Sequence, residues 1–123
     1  MRVIRAWVGA LQRGELGRAA RYFAVPITIA GAGPAYTLRS RREVVRFHAS
    51  VSCGAELLGA VAQDRYTIAR LRLTERPGAR CGAQTGTTVS NWFRVRRGRI
   101  VEWRSTVAAP TAPARPRIFG PSA

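Results

Sequence analysis

The stretch from Ala83 to Val107, AQTGTTVSNWFRVRRGRIVEWRSTV, limits the fold more than any other part of the chain. Two runs of β-forming residues flank Arg97-Gly98-Arg99. In the first run Val89, Asn91, Phe93 and Val95 share one face, while Ser90, Trp92, Arg94 and Arg96 share the other. After the turn, Val101, Trp103 and Ser105 alternate with Glu102 and Arg104. A period of two on both sides of a glycine turn is the mark of a β-hairpin. Gly98 suits the turn because it takes a positive φ without steric cost.

The remaining elements follow from local signals. Residues 3 to 23 read as helix, with Val3, Trp7, Ala10 and Leu11 on one face. Gly14-Glu15-Leu16 interrupts the run, Ala19, Ala20, Tyr22 and Phe23 resume it, and Pro26 is expected to end it, since the residue before proline is pushed out of the α region. Ile27-Thr28-Ile29 and Tyr36-Thr37-Leu38 read as short strands around a Gly31-Ala32-Gly33-Pro34 loop. Ser40 and Glu43 form a capping box that opens a helix from about 41 to 51, carrying Val44, Val45, Phe47 and His48. Strands 55 to 63 and 66 to 76 flank a Gln63-Asp64-Arg65 turn, and Pro77-Gly78-Ala79 breaks the chain before the hairpin.

Three helices thus precede a four-strand antiparallel meander. The expected class is α+β: a strongly bent, cone-shaped antiparallel sheet with the N-terminal helices packed on its concave face. Such a cone leaves an internal cavity. Residues 1 to 107 read as one domain, and 108 to 123, rich in Ala, Pro and Arg, as a mobile tail.

Charge bears on partners. The chain carries 21 basic residues, all Arg, against 6 acidic ones, for a net charge of +15. Such an excess is the electrostatic part of nucleic-acid affinity, but it is not a site. Because the arginines run from Arg2 to Arg117 without a basic block, scattered solvated charge is favoured over nucleic-acid binding. No apolar run reaches the roughly 18 to 20 residues of a membrane span, and no signal-peptide pattern opens the chain, so the expected home is the cytoplasm. Cys53 and Cys81 each precede a glycine and lack the His or Cys neighbours of a metal site. They fall at the same end of the sheet, so a disulfide is open to them, but a reducing cytoplasm favours free thiols. No metal and no cofactor is expected.

Three segments, WVGALQRGEL, SRREVVRFHA and FRVRRGRIVEW, come in this order with the elements between them, and over residues 3 to 107 the chain resembles the nuclear transport factor 2-like superfamily. The superfamily holds ketosteroid isomerases, SnoaL-type polyketide cyclases, epoxide hydrolases, dehydratases and non-enzymatic dimer modules, so the resemblance implies the fold before any activity. Ketosteroid isomerases use an Asp base with a Tyr and a protonated Asp. The resemblance lays Trp7 on the Tyr position, the neighbourhood of Gly31 on the base and Asn91 on the second Asp, so that isomerisation is not implied. Epoxide hydrolases of this fold need an Asp–Arg–Asp set. Arg70 matches the Arg, but Arg72 and Ser105 stand on the carboxylate positions, so that acid–base chemistry is not implied either.

What is left to line a pocket is a short set. His48, the only histidine, falls where the isomerases carry a pocket Tyr and is the natural proton carrier near neutral pH; the competing reading is a hydrogen-bonded histidine closing a helix. Asn91, on the apolar side of its strand, needs a partner and is the candidate for orienting a ligand. Trp7, Tyr22, Tyr36, Phe47, Phe93 and Trp103 are candidate cavity walls for an apolar ring-containing guest, with core packing as the alternative for each. Asp64 lies in a turn for backbone reasons, Glu56 is ambiguous in its facing, and Glu102 is expected outward beside an Arg. Outward Trp92 marks a partner surface, which the resemblance implies is a homodimer face. The expected function is small-molecule binding, with cofactor-independent isomerase, cyclase or hydrolase chemistry on an apolar substrate as its catalytic form. The alternatives are a non-catalytic dimerisation module and nucleic-acid binding through the Arg surface.

Overall fold

The computed structural model describes residues 1–31 and 33–105. The expected tail, 108 to 123, and the last two residues of the expected domain lie outside the described residues. Three helices precede the long strands, as the periodicity predicts: α1 (Arg2–Gln12), α2 (Leu16–Arg21) and α3 (Arg41–Ser50). The break between α1 and α2 is chemical. Gly14 takes φ 75°, and its N–H donates to the Leu11 carbonyl at 3.0 Å while the Glu15 N–H donates to that of Ala10 at 2.9 Å. This is the Schellman closure, which satisfies two carbonyls that a helix end would leave bare. The Ser40–Glu43 capping box forms at the start of α3, with the Glu43 N–H on Ser40 Oγ at 3.1 Å and the Arg39 N–H on Glu43 Oε1 at 2.6 Å.

The strands are β1 (Phe23–Ala30), β2 (Tyr36–Leu38), β3 (Gly54–Gln63), β4 (Tyr66–Thr74), β5 (Thr88–Arg96) and β6 (Arg99–Ser105). They form one sheet in the order β2-β1-β6-β5-β4-β3, curved but not closed. The meander β3 to β6 is antiparallel throughout. The sheet as a whole is mixed, because β1 joins the far side of β6 in parallel. No turn links those two strands: β2, α3 and β3 to β5 lie between them in the chain, so nothing local fixes their relative direction.

Two expectations of local geometry change. Pro26 does not end the helical segment: α2 stops at Arg21, Phe23 opens β1, and Pro26 lies inside that strand after a cis peptide. Proline has no N–H to give a ladder, and the β1–β6 register shifts between Phe23 and Thr28, where Pro26 sits. In β6 the simple alternation also slips. Arg94 pairs with Glu102 but Val95 pairs with Ile100, so Val101 is the extra residue of a bulge. Ile100 and Trp103 both reach the core as a result.

The core lies between the concave sheet face and the helices. Ile4, Trp7, Val8, Ala10 and Leu11 of α1 are buried with Phe23, Ile27, Val44, Leu71, Phe93 and Ile100. Fully burying one such large side chain is worth about 1.5–3 kcal/mol. At Gly54 a Cβ would lie 2.9 Å from Thr74 Oγ1 and 3.3 Å from the Gln12 Cα, so a side chain there would crowd β4 and press on α1.

The thiols are not free. Cys53 and Cys81 form a disulfide, Sγ to Sγ 2.01 Å, with their Cα atoms 4.5 Å apart. The expectation of free thiols rested on a reducing compartment, whereas such bonds persist in oxidising ones. What the sequence left open is that the end of α3 and the loop before β5 meet across the edge of the sheet. Among the described residues no helix is long and apolar enough to cross a membrane.

Candidate functional site

A cavity of about 330 Å³ opens between α1, the residues after α3 and the concave side of β4 and β5. Its lining is mainly apolar: Trp7 and Leu11 from α1, Leu71 and Leu73 from β4, Val89 from β5 and Trp103 from β6. Neutral polar groups are set into it, namely Ser50, Ser52, Gln84, Asn91 and Ser105. Cys53 of the disulfide lines it too.

Asn91 is buried, and its Oδ1 accepts a hydrogen bond from Trp103 Nε1 at 3.0 Å. The two residues belong to adjacent strands; the bulge at Val101 is what turns Trp103 inward beside Asn91. That bond fixes which end of the amide is which, because an indole N–H only donates.

His48 is fully buried and stands behind the cavity, not in its lining. Trp7 Nε1 donates to His48 Nε2 at 2.9 Å, and His48 Nδ1 lies 2.8 Å from the Val44 carbonyl oxygen, one turn back along α3. An indole N–H cannot accept and a carbonyl cannot donate, so Nδ1 carries the proton and Nε2 is bare. The ring is thereby neutral, and a second proton at Nε2 would face the indole N–H. Its pKa lies below the ordinary 6.5 for the same surroundings: burial first, with repulsion from Arg76 and Arg41 adding to it and the Val44 bond opposing it.

Around His48 the aromatic residues form one continuous cluster. Trp7 meets Phe93 and Trp103 edge-on, each at 5.5 Å between centroids. Phe93 and Trp103 stack at 6.0 Å, and Phe23 meets His48 at 4.7 Å. Of the residues expected at the site, the cavity gathers Trp7, Asn91 and Trp103. Phe93 is wholly buried in the core and Tyr22 packs against it. Tyr36 and Phe47 line a different cleft of about 520 Å³ beside Ile29 and Pro34. Trp103 and Ser105 line both openings, so Trp103 stands in the wall between them. Burial raises the Tyr36 pKa.

The wall formed by 50–55 and Gln84 had no sequence signal as a site. It is held by an unusual corner. Arg76 is buried, and its Nε and Nη2 donate to the Val51 carbonyl at 3.0 and 2.8 Å while Nη1 donates to that of Pro77 at 2.9 Å. A guanidinium on the carbonyls that end a helix also meets the negative end of the helix dipole. Beside it the Glu75 carboxylate accepts from the Cys81 and Gly82 N–H groups, at 2.9 and 3.0 Å, and from Thr85 Oγ1. The Cys81 N–H and the Thr85 hydroxyl, and then the Gly82 N–H, hold the Glu75 pKa below the ordinary carboxylate value.

Of the residues named for epoxide chemistry, Ser105 lines the cavity and the two arginines lie elsewhere. Arg70 and Arg72 are exposed on the outer face of β4, where Arg72 pairs with Glu56 at 2.9 Å. Glu102 is also outward, as expected. It is held by Tyr66 and Arg104, with Arg94 at 3.8 Å. Trp92, expected to be exposed, is half-buried on that outer face.

This architecture, a bent sheet roofed by N-terminal helices over a cavity, is the nuclear transport factor 2-like fold. Among solved structures a polyketide cyclase candidate from Sinorhizobium meliloti aligns with a TM-score of 0.66 at 16% identity, over 85% of this chain and 93% of that one. A Catenulispora acidiphila protein with a ketosteroid isomerase-like fold, solved in complex with trimethylamine, aligns at 0.65 and 15% identity, over 87% and 85%. A SnoaL-like protein of unknown function from Burkholderia thailandensis aligns at 0.62 and 16%, over 83% and 88%. No known family's sequence model and no curated protein matches the chain. At such identities the likeness carries the fold alone.

Proposed function

We propose that the chain binds a neutral, ring-containing small molecule in the 330 Å³ cavity, with Trp7 and Trp103 as walls and Asn91 as the orienting group. The supporting observation is the Trp103–Asn91 hydrogen bond at 3.0 Å. With Oδ1 committed to the indole, the amide offers a guest its donor end, which suits a carbonyl or ether oxygen on the ligand. Volume and lining agree with small-molecule pockets in general, which are apolar with a few placed polar groups. Among the fold neighbours, the polyketide cyclase candidate is named for substrates of a class that would suit such a cavity. A catalytic proton transfer by His48 would require it to give up one of its two hydrogen bonds, so in this reading His48 holds Trp7 in place and the activity is binding.

The test is a tryptophan-fluorescence titration with a panel of steroid ketones, aromatic polyketides and lactones. Val89→Trp fills the cavity and is expected to abolish saturable quenching; Asn91→Leu weakens carbonyl-bearing ligands by about tenfold. Binding that is unchanged in Val89→Trp would sink the proposal.

A second reading, a homodimer through the outer sheet face, is favoured by one row of side chains. Val61 is 61% exposed and lies in register with Ile68, which lies in register with Trp92. Sedimentation of Trp92→Glu decides it: a dimer that persists in this variant uses another surface.

A further inference from the structure

The far end of the β5–β6 hairpin concentrates positive charge that no ion pair neutralises among the described residues. Arg96 and Arg99 stand directly opposite each other in register across the turn. Like charges so paired destabilise a hairpin unless a counter-charge sits between them. Arg97, within the turn, takes φ 53°, a conformation usually left to Gly, Asn or Asp. These three arginines, with Ala24 and Val101, line an open recess of about 580 Å³. Val101 is the bulged residue of β6, and a bulge re-aims the side chains around it. A fourth charge lies close behind. Arg41 donates to the carbonyls of Ala20 and Phe23, and burial, then repulsion from Arg99, pulls its pKa below the usual arginine value.

The chain has six acidic residues, and each is placed elsewhere. Glu15 pairs with Arg13 and Arg18, Glu56 with Arg72, and Glu102 with Arg94 and Arg104. Glu43 caps α3, Glu75 holds the loop before β5, and Asp64 forms the β3–β4 turn. Among the described residues no ion pair reaches Arg41, Arg96, Arg97 or Arg99.

We propose that this recess is an anion site that takes the phosphate or diphosphate group of a small molecule against Arg96, Arg97 and Arg99. Guanidinium groups match phosphate oxygens with paired hydrogen bonds and keep their charge at any working pH. A small ligand is favoured over a nucleic-acid strand because the charge is gathered at one turn over Ala24 and Val101. A strand-binding groove instead tracks the backbone and supplies aromatic platforms for the bases. The recess shares no lining residue with the cavity, so it stands or falls independently of the ligand proposed there.

The experiment is calorimetric titration of the full chain with pyrophosphate, with inorganic phosphate and a single-stranded oligonucleotide as the other two arms. Saturable one-to-one binding of pyrophosphate is expected, weakened about tenfold by Arg99→Gln and again by Arg96→Gln. Arg70→Gln, on the outer face of β4, is expected to change it by less than about twofold. In the unaltered chain the Gly98 and Val101 amide resonances should shift with the same saturation, which keeps the test intact if a variant misfolds. Tighter binding of phosphate than pyrophosphate narrows the ligand to a single phosphate group and still supports the site. The proposal is overturned if pyrophosphate does not saturate, or if Arg70→Gln weakens binding as much as Arg99→Gln. It is equally overturned if the oligonucleotide binds more tightly than pyrophosphate, since general surface charge then accounts for the affinity.

Discussion

Two regions hold the cavity's walls, and they do so by different physics. Around His48 the wall is a cluster of rings joined by two neutral hydrogen bonds, one from Trp7 Nε1 and one to the Val44 carbonyl. At the corner formed by 50–55 and Gln84 the wall is short polar chain, fixed by the Cys53–Cys81 bond, the buried Arg76 and the Glu75 carboxylate. The first region gains its order from apolar burial and must stay uncharged. The second is held by a covalent link and by charge-assisted hydrogen bonds, which are individually stronger than neutral ones. Arg76 touches both: it caps the end of α3 and its charge helps keep His48 neutral. The lesson is that the two walls should fail under different conditions, one in acid and the other under reduction.

The largest effect is expected from Trp7→Ala. It opens a void among Phe23, Phe93 and Trp103 and leaves His48 Nε2 without its donor, which should cost about 3–5 kcal/mol in denaturant unfolding. A loss below about 1 kcal/mol would mean that the rings do not carry this wall. Next comes the corner. Replacing Cys53 and Cys81 together with Ser releases a link across 28 residues and should cost about 3 kcal/mol. The same variant should raise amide exchange in 50–55 and 81–85 while the core strands stay protected. Uniform loss of protection would erase the distinction between the two walls.

The smallest expected effect is on pH dependence, and its sign follows from His48. The native ring resists protonation, whereas the unfolded chain takes a proton near the ordinary value of 6.5. Stability is therefore full above that value and declines as the pH falls below it towards the lower native pKa. A thermal midpoint that is flat from about pH 8 to 7 and falls by about pH 5 is expected. His48→Gln should remove that slope, and the double Ser variant should keep it. Glu75 titrates in the lower carboxylate range, so its contribution is lost only in stronger acid and does not overlap this window.

Much of the scaffold was legible because its signals are local. Alternation in 88–96, the Ser40–Glu43 box and the break at Gly14 each involve residues within a few positions of one another, and all three formed as read. The turn at Arg97-Gly98 closed with positive φ at both positions, as a two-residue hairpin requires. The lining of the cavity was legible only in part. Trp7, Asn91 and Trp103 reached the cavity because each sat on an apolar face that had to point inward. Tyr36 and Phe47 shared that property and went to another cleft, since facing the interior does not say which part of it a residue meets. The bulge at Val101 also escaped, as did one at Leu58, where Leu57 pairs with Leu71 but Gly59 with Arg70, because a single extra residue leaves the composition of a strand unchanged while re-registering its neighbours.

By itself, then, the sequence determined the order and type of the elements, the hairpin and its turn, and a concave sheet under helices, because backbone hydrogen bonding and side-chain periodicity act over a few residues. Tertiary structure alone decided the rest: that β1 runs parallel to β6, that Trp7 finds His48 across 41 positions, and that Cys53 meets Cys81 across 28. Such contacts are fixed only when the whole chain closes, and the energy that fixes them is shared among many packed groups, none of which announces its partner in the sequence.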